Sequence, residues 1–184
     1  EMRIAYRATI LPPITDLFLL AQRGYLDVGF VGGAQVDRYG NLNSSVVGPY
    51  SKPTVRLPGS GGANDIISLC RRVMVVTQHE RRRFVDKVDF ITSPGFLDGG
   101  ASRQKSGLVF GRVVRVVTDL GIMGFDENSK AMRLEQVHPG VSVEDVIENT
   151  GFDLIIPEVV PTTEPPTEEE LNLLRALDPD TQYL

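Results

Sequence analysis

Gly32-Gly33-Ala34-Gln35-Val36-Asp37 opens a stretch that passes through Tyr39-Gly40-Asn41-Leu42-Asn43 and closes on Leu57-Pro58-Gly59-Ser60-Gly61-Gly62-Ala63-Asn64-Asp65. Each glycine cluster follows a short apolar run, Val28 to Val31 for the first and Thr54 to Leu57 for the second. The second cluster leads into Ile66-Ile67-Ser68-Leu69-Cys70, which reads as the start of a helix. Strand, glycine loop, helix is an anion-binding order. Glycines let backbone N–H groups approach a ligand, and the first turn of a helix adds unpaired N–H groups and the positive end of its dipole. A phosphate, a carboxylate or a carbonyl developing negative charge fits such a place. Neither cluster continues into Gly-Lys-Ser/Thr or has the dinucleotide fingerprint spacing, so a ligand cradle and plain tight turns both stay open on these residues. Asn41 and Asn43 are similarly open: they could orient a ligand carbonyl or amide, or satisfy the backbone of their own turn.

Outward from this centre, the 184 residues are 41% hydrophobic and carry a formal charge of −5. That length supports one domain over residues 1–184 with an ordinary core, and the charge argues against nucleic acid as a main partner. No apolar run approaches the roughly 20 residues of a membrane span, and no secretory signal is visible. Cys70 is the one cysteine, so an intramolecular disulfide and a Cys-based zinc site are excluded, no metal is expected, and a reducing cytoplasm fits.

Along the chain, Met2 to Ile10 shows neither a signal nor a clean period, and Pro12-Pro13 breaks it. Thr15 or a neighbour is predicted to cap a helix from Asp16 to Arg23 that Gly24 stops, with Leu26 to Val31 as a buried strand. Arg72 to Thr77 and Val88 to Thr92 read as strands, separated by a short segment holding Arg81, Arg82 and Arg83. Those arginines are read as a solvated face, with the phosphates of a nucleotide-bearing cofactor as the other role. Ser93 to Gly111 reads as a long loop, either a mobile segment near a ligand or a surface excursion. Val113 to Thr118, Leu120 to Phe125 and Ala131 to Val137 are strands, the last two joined by a turn at Asp126 to Ser129. His79 and His138 lack a clear acid partner and are discounted as bases. Ser142 with Asp145 and Thr167 with Glu170 are capping boxes. Phe152 to Ile156 is read as a last strand. Residues 157–184 are a Pro-rich connector and a C-terminal helix whose Leu171, Leu174 and Leu177 should dock onto the body. This alternation indicates an α/β sandwich with an open mixed sheet.

The segments Gly32 to Asn43, Arg56 to Asp65, Val116 to Leu120, His138 to Gly140, Asn149 to Phe152 and Pro161 to Thr167 together resemble the small (beta) subunit of family I CoA-transferases, with the B subunit of the glutaconate enzyme the nearest likeness. The resemblance covers nearly the whole chain. It implies the CoA-transferase version of the open α/β fold and a large (alpha) subunit partner that shares the active site. The implied substrates are an acyl-CoA and a carboxylic acid, with coenzyme A as substrate and no permanently bound cofactor. It further implies that Gly61, Gly62, Ala63 and Asn64 face the thioester with backbone N–H donors, and that Gly32, Gly33, Ala34, Gln35, Asn41 and Asn43 line the substrate or CoA pocket.

The nucleophile breaks this likeness. In the family it is a glutamate in a Glu-x-Gly motif near the start of the small subunit, and no Glu-x-Gly occurs in these residues. The catalytic residue is therefore unassigned and expected outside this chain, which then lacks its N-terminal portion. CoA-thioester decarboxylases, ring-opening hydrolases and a noncatalytic CoA-binding subunit are the alternatives.

Overall fold

The computed structural model describes residues 5 and 8–179, so most of the opening Met2 to Ile10 segment lies outside the described residues. The elements are, in order, α1 (Ile14–Gln22), β1 (Val28–Val31), β2 (Gln35–Asp37), β3 (Leu42–Asn43), β4 (Val46–Val47), β5 (Val55–Arg56), α2 (Ala63–Leu69) and β6 (Arg72–Val76). They continue with β7 (Phe84–Val85), α3 (Ser102–Lys105), β8 (Val113–Val117), β9 (Gly121–Phe125), β10 (Met132–Val137), α4 (Val143–Glu148) and α5 (Glu168–Leu177). Five strands form the main sheet in the order β1-β6-β8-β9-β10, with β3-β2-β7 and β4-β5 as smaller sheets. β1, β6 and β8 run parallel, while β9 and β10 are antiparallel to their neighbours. The mixed α/β class expected from the sequence is the one observed.

Valine dominates β6 and β8 because a β-branched side chain suits a pleated, half-buried surface. Val73 and Val75 point into a core shared with Ala21 of α1, Ile67 of α2, Val36, Leu42 and Phe84 of the three-stranded sheet, and Val146 of α4. The alternate positions look the other way. Val76 is 52% and Phe30 is 64% exposed, so β1 is buried on one face only and the Leu26 to Val31 expectation is corrected. Ile66 and Cys70 of α2 sit over Gly29 of β1, and Arg72 N–H donates to Asp27 O. The C-terminus of α2 therefore lies at the start of β1 and β6, and its glycine loop lies toward their carboxyl ends, where open α/β sheets bind ligands.

Several boundaries move for local reasons. Pro13 occupies the N-cap of α1 in place of Thr15. Val88 to Thr92 makes no strand; Asp89 there is drawn to Gln35, whose Oε1 accepts from Asp89 N–H and whose amide donates to Asp89 Oδ2. Phe152 to Ile156 also fails as a strand. Ile155 and Thr162 each make one parallel bridge to β10, and Pro157 and Pro161 cannot donate the bonds that would join those bridges into a ladder. The proline-rich connector thereby covers the free edge of β10, blunting a surface that would otherwise pair with another chain.

Both capping boxes form, at Ser142 with Asp145 and at Thr167 with Glu170. The docking of α5 does not. Leu174 is 43% and Leu177 is 69% exposed, Leu171 is only half-buried, and no residue of this helix is buried. A helix held by its cap rather than by packing responds locally to loss of that cap. Thr167→Ala should destabilise α5 by about 1 kcal/mol. Hydrogen exchange should report lost protection in α5 while the urea midpoint of the whole chain stays in place; a shift of that midpoint would show that α5 is integral to the core.

Candidate functional site: two joined glycine clusters

The two glycine clusters lie together, and Asn43 and Ser44 join them. Ala34 N–H donates to Asn43 O at 2.8 Å. The next residue, Ser44, accepts from Gly59 N–H and donates through its hydroxyl to Gly59 O, both at 2.8 Å. The backbone thus runs as one hydrogen-bonded path from Gly33-Ala34, past Asn43-Ser44, to the start of the second loop.

At that second loop two of the four N–H groups expected as donors are bonded within the chain. Ser60 takes two of the N–H groups: its carbonyl accepts from Ala63 and its hydroxyl accepts from Asn64, each at 2.9 Å. Gly61 and Gly62 remain, with left-handed φ values of 56° and 102° and no hydrogen bond to their N–H groups among the described residues. A Cβ on Gly62 would press on Phe18 Cζ at 3.1 Å, while one on Gly61 would meet nothing. Residue 61 is accordingly the open side of the loop. Ser60 is a site residue that sequence reading passed over, although a serine placed just ahead of a helix start is an ordinary capping signal.

In the first cluster the polar side chains turn inward. Asn43 donates to Gln35 Oε1 at 2.7 Å and Val46 O at 2.6 Å, and accepts from the N–H groups of Ser45 and Val46. Asn41 donates to Asp37 and Leu97 O and accepts from Gly95 and Leu97 N–H. Gln35, Asn41 and Asn43 are all at most 6% exposed. All three amides are bonded within the chain. Gly32, Gly33 and Ala34 keep exposed surface. Asp37 closes the turn with bonds from Tyr39 N–H and Asn41 N–H, each at 3.0 Å. Burial pushes its carboxyl above the usual range, against the pull of those bonds and of the Asn41 side chain.

The remaining candidates are structural. Arg82 and Arg83 pair with Glu80, and Arg81 donates to Glu148 O and Thr150 O at the end of α4, so the run is spent within the chain and offers no phosphate cradle. His138 Nδ1 meets Thr163 Oγ1 and its Nε2 meets Thr118 O, both at 2.9 Å. His79 is 4% exposed, stacks on Phe84 at 3.9 Å, and meets Thr118 Oγ1 and Thr150 Oγ1 at 3.2 and 3.0 Å. The long segment from Ser93 to Gly111 is tied down, with α3 inside it and Arg103 buried at its centre. No group of three or more metal-ligating side chains occurs among the described residues, and none of their helices is long and apolar enough to cross a membrane.

Comparison with known proteins places this geometry. The sequence profile of the family described as Coenzyme A transferase matches residues 14–149. The chain belongs to that family. It is 45% identical over 179 residues to the B subunit of the 3-oxoadipate CoA-transferase of Pseudomonas knackmussii, covering 97% of this chain and 69% of that protein. It is also 45% identical over 160 residues to the B subunit of the glutaconate CoA-transferase of Acidaminococcus fermentans, covering 85% of this chain and 59% of that protein. The crystal structure of the glutaconate coenzyme A-transferase from Acidaminococcus fermentans superposes with a TM-score of 0.90 at 38% identity, over 97% of this chain and 71% of that one. The described coenzyme A transferase fold thus agrees with the class read from the sequence, and both sequence relatives are B subunits of CoA-transferases.

His79 gives the site's scaffold a pH dependence. Burial lowers its pKa from 6.5 to about 4, with the nearby Asp119 carboxylate pulling it partly back up. The unfolded chain therefore takes up a proton first as pH falls. Stability held above pH 6.5 is lost progressively down to about pH 4, a change on the order of 3 kcal/mol. Urea unfolding of the wild type and His79→Gln across this window should show a steeper acid loss in the wild type. Parallel curves would show that His79 carries a proton in the folded state.

Proposed function

We propose that this chain is a B-type subunit of a CoA-transferase that moves CoA from an acyl-CoA to a carboxylic acid of the glutaconate or 3-oxoadipate kind. The observation that carries the reading is the joined pair of glycine clusters, with the Gly61 and Gly62 N–H groups unpaired among the described residues at the carboxyl ends of β1 and β6. In this reading those two groups receive the thioester oxyanion, and Gly32, Gly33 and Ala34 flank the acyl group. Gln35, Asn41, Asn43, Ala63 and Asn64 hold that backbone in place.

The chemistry follows from what a carboxylate can do. A glutamate supplied from outside these residues adds to the thioester carbonyl. The C–S bond then breaks and CoA leaves as thiolate, giving an acyl-glutamyl anhydride. The thiolate attacks the glutamyl carbonyl and expels the acyl carboxylate, and the resulting glutamyl-CoA passes its CoA to the acceptor acid by the same steps in reverse. Carboxylate serves as nucleophile and leaving group at once, so each half-reaction is reversible. Negative charge forms on the carbonyl oxygen at each addition, and fixed N–H donors act most strongly where charge develops. An alpha-type subunit completes the pocket. Both relatives at 45% identity are transferases, which favours transfer over the hydrolase and decarboxylase chemistries found at 35% and 28%.

The test is a CoA-exchange assay with glutaconate and 3-oxoadipate, run on these residues joined to a small-subunit segment that carries the Glu-x-Gly motif, alone and with an alpha-type subunit, with borohydride trapping of a glutamyl-CoA adduct. Transfer is expected only in the complex. Hydrolysis or decarboxylation without transfer to either acid would overturn the reading. Within the active complex, Gly61→Val should lower kcat by about 10²-fold or more, the scale of a lost oxyanion donor. Its left-handed backbone should cost only about 1–2 kcal/mol of stability. Normal turnover by that variant would remove the loop from the oxyanion role.

A further inference from the structure

Arg103 is the one buried arginine among the described residues, only 4% exposed, and it makes no ion pair among them. Its guanidinium instead donates to four carbonyls: Pro94 O at 2.6 Å, Gly95 O at 2.8 Å, Ile67 O at 2.9 Å and Phe110 O at 3.0 Å. Its Nε is buried without a partner among the described residues. A desolvated cation with one unsatisfied donor is costly to keep, and a surface arginine would avoid that cost.

What the four bonds connect gives that cost a use. Ile67 O belongs to the last turn of α2, the helix that starts at Gly61-Gly62, and a cation there also complements the helix dipole. Gly111 backs the same turn so closely that a Cβ would stand 2.6 Å from Cys70 O and 2.9 Å from Ile67 O. Gly95 and Pro94 belong to the other cluster's support. Gly95 N–H donates to Asn41 Oδ1 at 2.9 Å, and Asn41 holds the Asp37 turn behind Gly32-Gly33-Ala34. One planar guanidinium therefore spans the rear supports of both clusters, which Asn43 and Ser44 join at the front. Arg is suited to this where Lys is not, because its donors lie in a rigid fork at fixed angles.

We propose that Arg103 is a positioning residue that locks the helix behind the second glycine cluster to the turn behind the first, setting the spacing at which both meet the acyl group. The coupling stands on the hydrogen bonds alone; its effect on turnover rests on the transferase reading above. Arg103→Lys and Arg103→Gln test it in the complex with the alpha-type subunit, with Val146→Ala in the α4 core as a control of matched stability. Hydrogen exchange should rise together, by about ten-fold, at Ala63, Asn64 and Ile66 in α2 and at Gly95 and Leu97 in the turn. Turnover should follow as a fall in kcat of about ten-fold or more with KM within about two-fold, since lost positioning is felt in the transition state. Lysine should restore part of the loss that glutamine leaves.

Exchange that rises on one side only would overturn the coupling, as would an equal pattern in Val146→Ala. A raised KM at unchanged kcat would overturn the positioning role. If the wild-type complex carrying the Glu-x-Gly segment transfers no CoA, the transferase reading fails by itself, and the exchange data still decide whether Arg103 couples the two supports.

Discussion

The structure depends on burying irregular backbone without leaving it unpaired. Between β1 and α2 the chain makes only strands of two or three residues, too short to satisfy their own N–H and C=O groups through ladders. Asn43, 0% exposed, solves this by accepting and donating across Gln35, Ser45 and Val46 while its carbonyl holds Ala34. Each buried group left without a partner would cost about 1–3 kcal/mol. A side-chain amide that makes four bonds therefore shapes the loop alongside the buried Val36, Leu42 and Val46.

The main sheet gives this loop region a firm base. Parallel strands are ordinarily covered on both faces, yet here the core lies on one side, under α1, α2, α4 and the three-stranded sheet. Phe30, Met74 and Val76 look outward. The chain spans 69% and 59% of the curated relatives it matches. Within the described residues the two glycine clusters sit toward the carboxyl ends of the parallel strands β1 and β6.

Glycine and polar residues divide the work at the site. Gly61 and Gly62 supply backbone that other residues adopt only with strain, and Ser60 consumes the neighbouring donors so that the exposed ones are confined to those two positions. Asp37, Asn41 and Gln35 lie behind this surface.

The sequence by itself determined the fold class, the positions of the long strands and both capping boxes, because these follow from local periodicity and from side chains that bond within three residues. It also marked the two glycine clusters, since glycine spacing is a local record of backbone demand. The tertiary structure decided which of those residues remain available. Asn41 and Asn43 could face a ligand or the backbone on composition alone, and only the folding of Gly95, Leu97 and Val46 against them supplies the backbone partners they bond to. Leu171, Leu174 and Leu177 have helical spacing, but no surface among the described residues receives α5, and amphipathic pattern cannot say whether a partner face exists. Phe152 to Ile156 is apolar enough for a strand, yet the prolines that follow it limit pairing with β10 to single bridges. In the sequence Arg103 is one charge among the glycines of residues 93–111. Its role is set by carbonyls at residues 67, 94, 95 and 110, and backbone acceptors that are brought together only by the fold leave no mark in sequence.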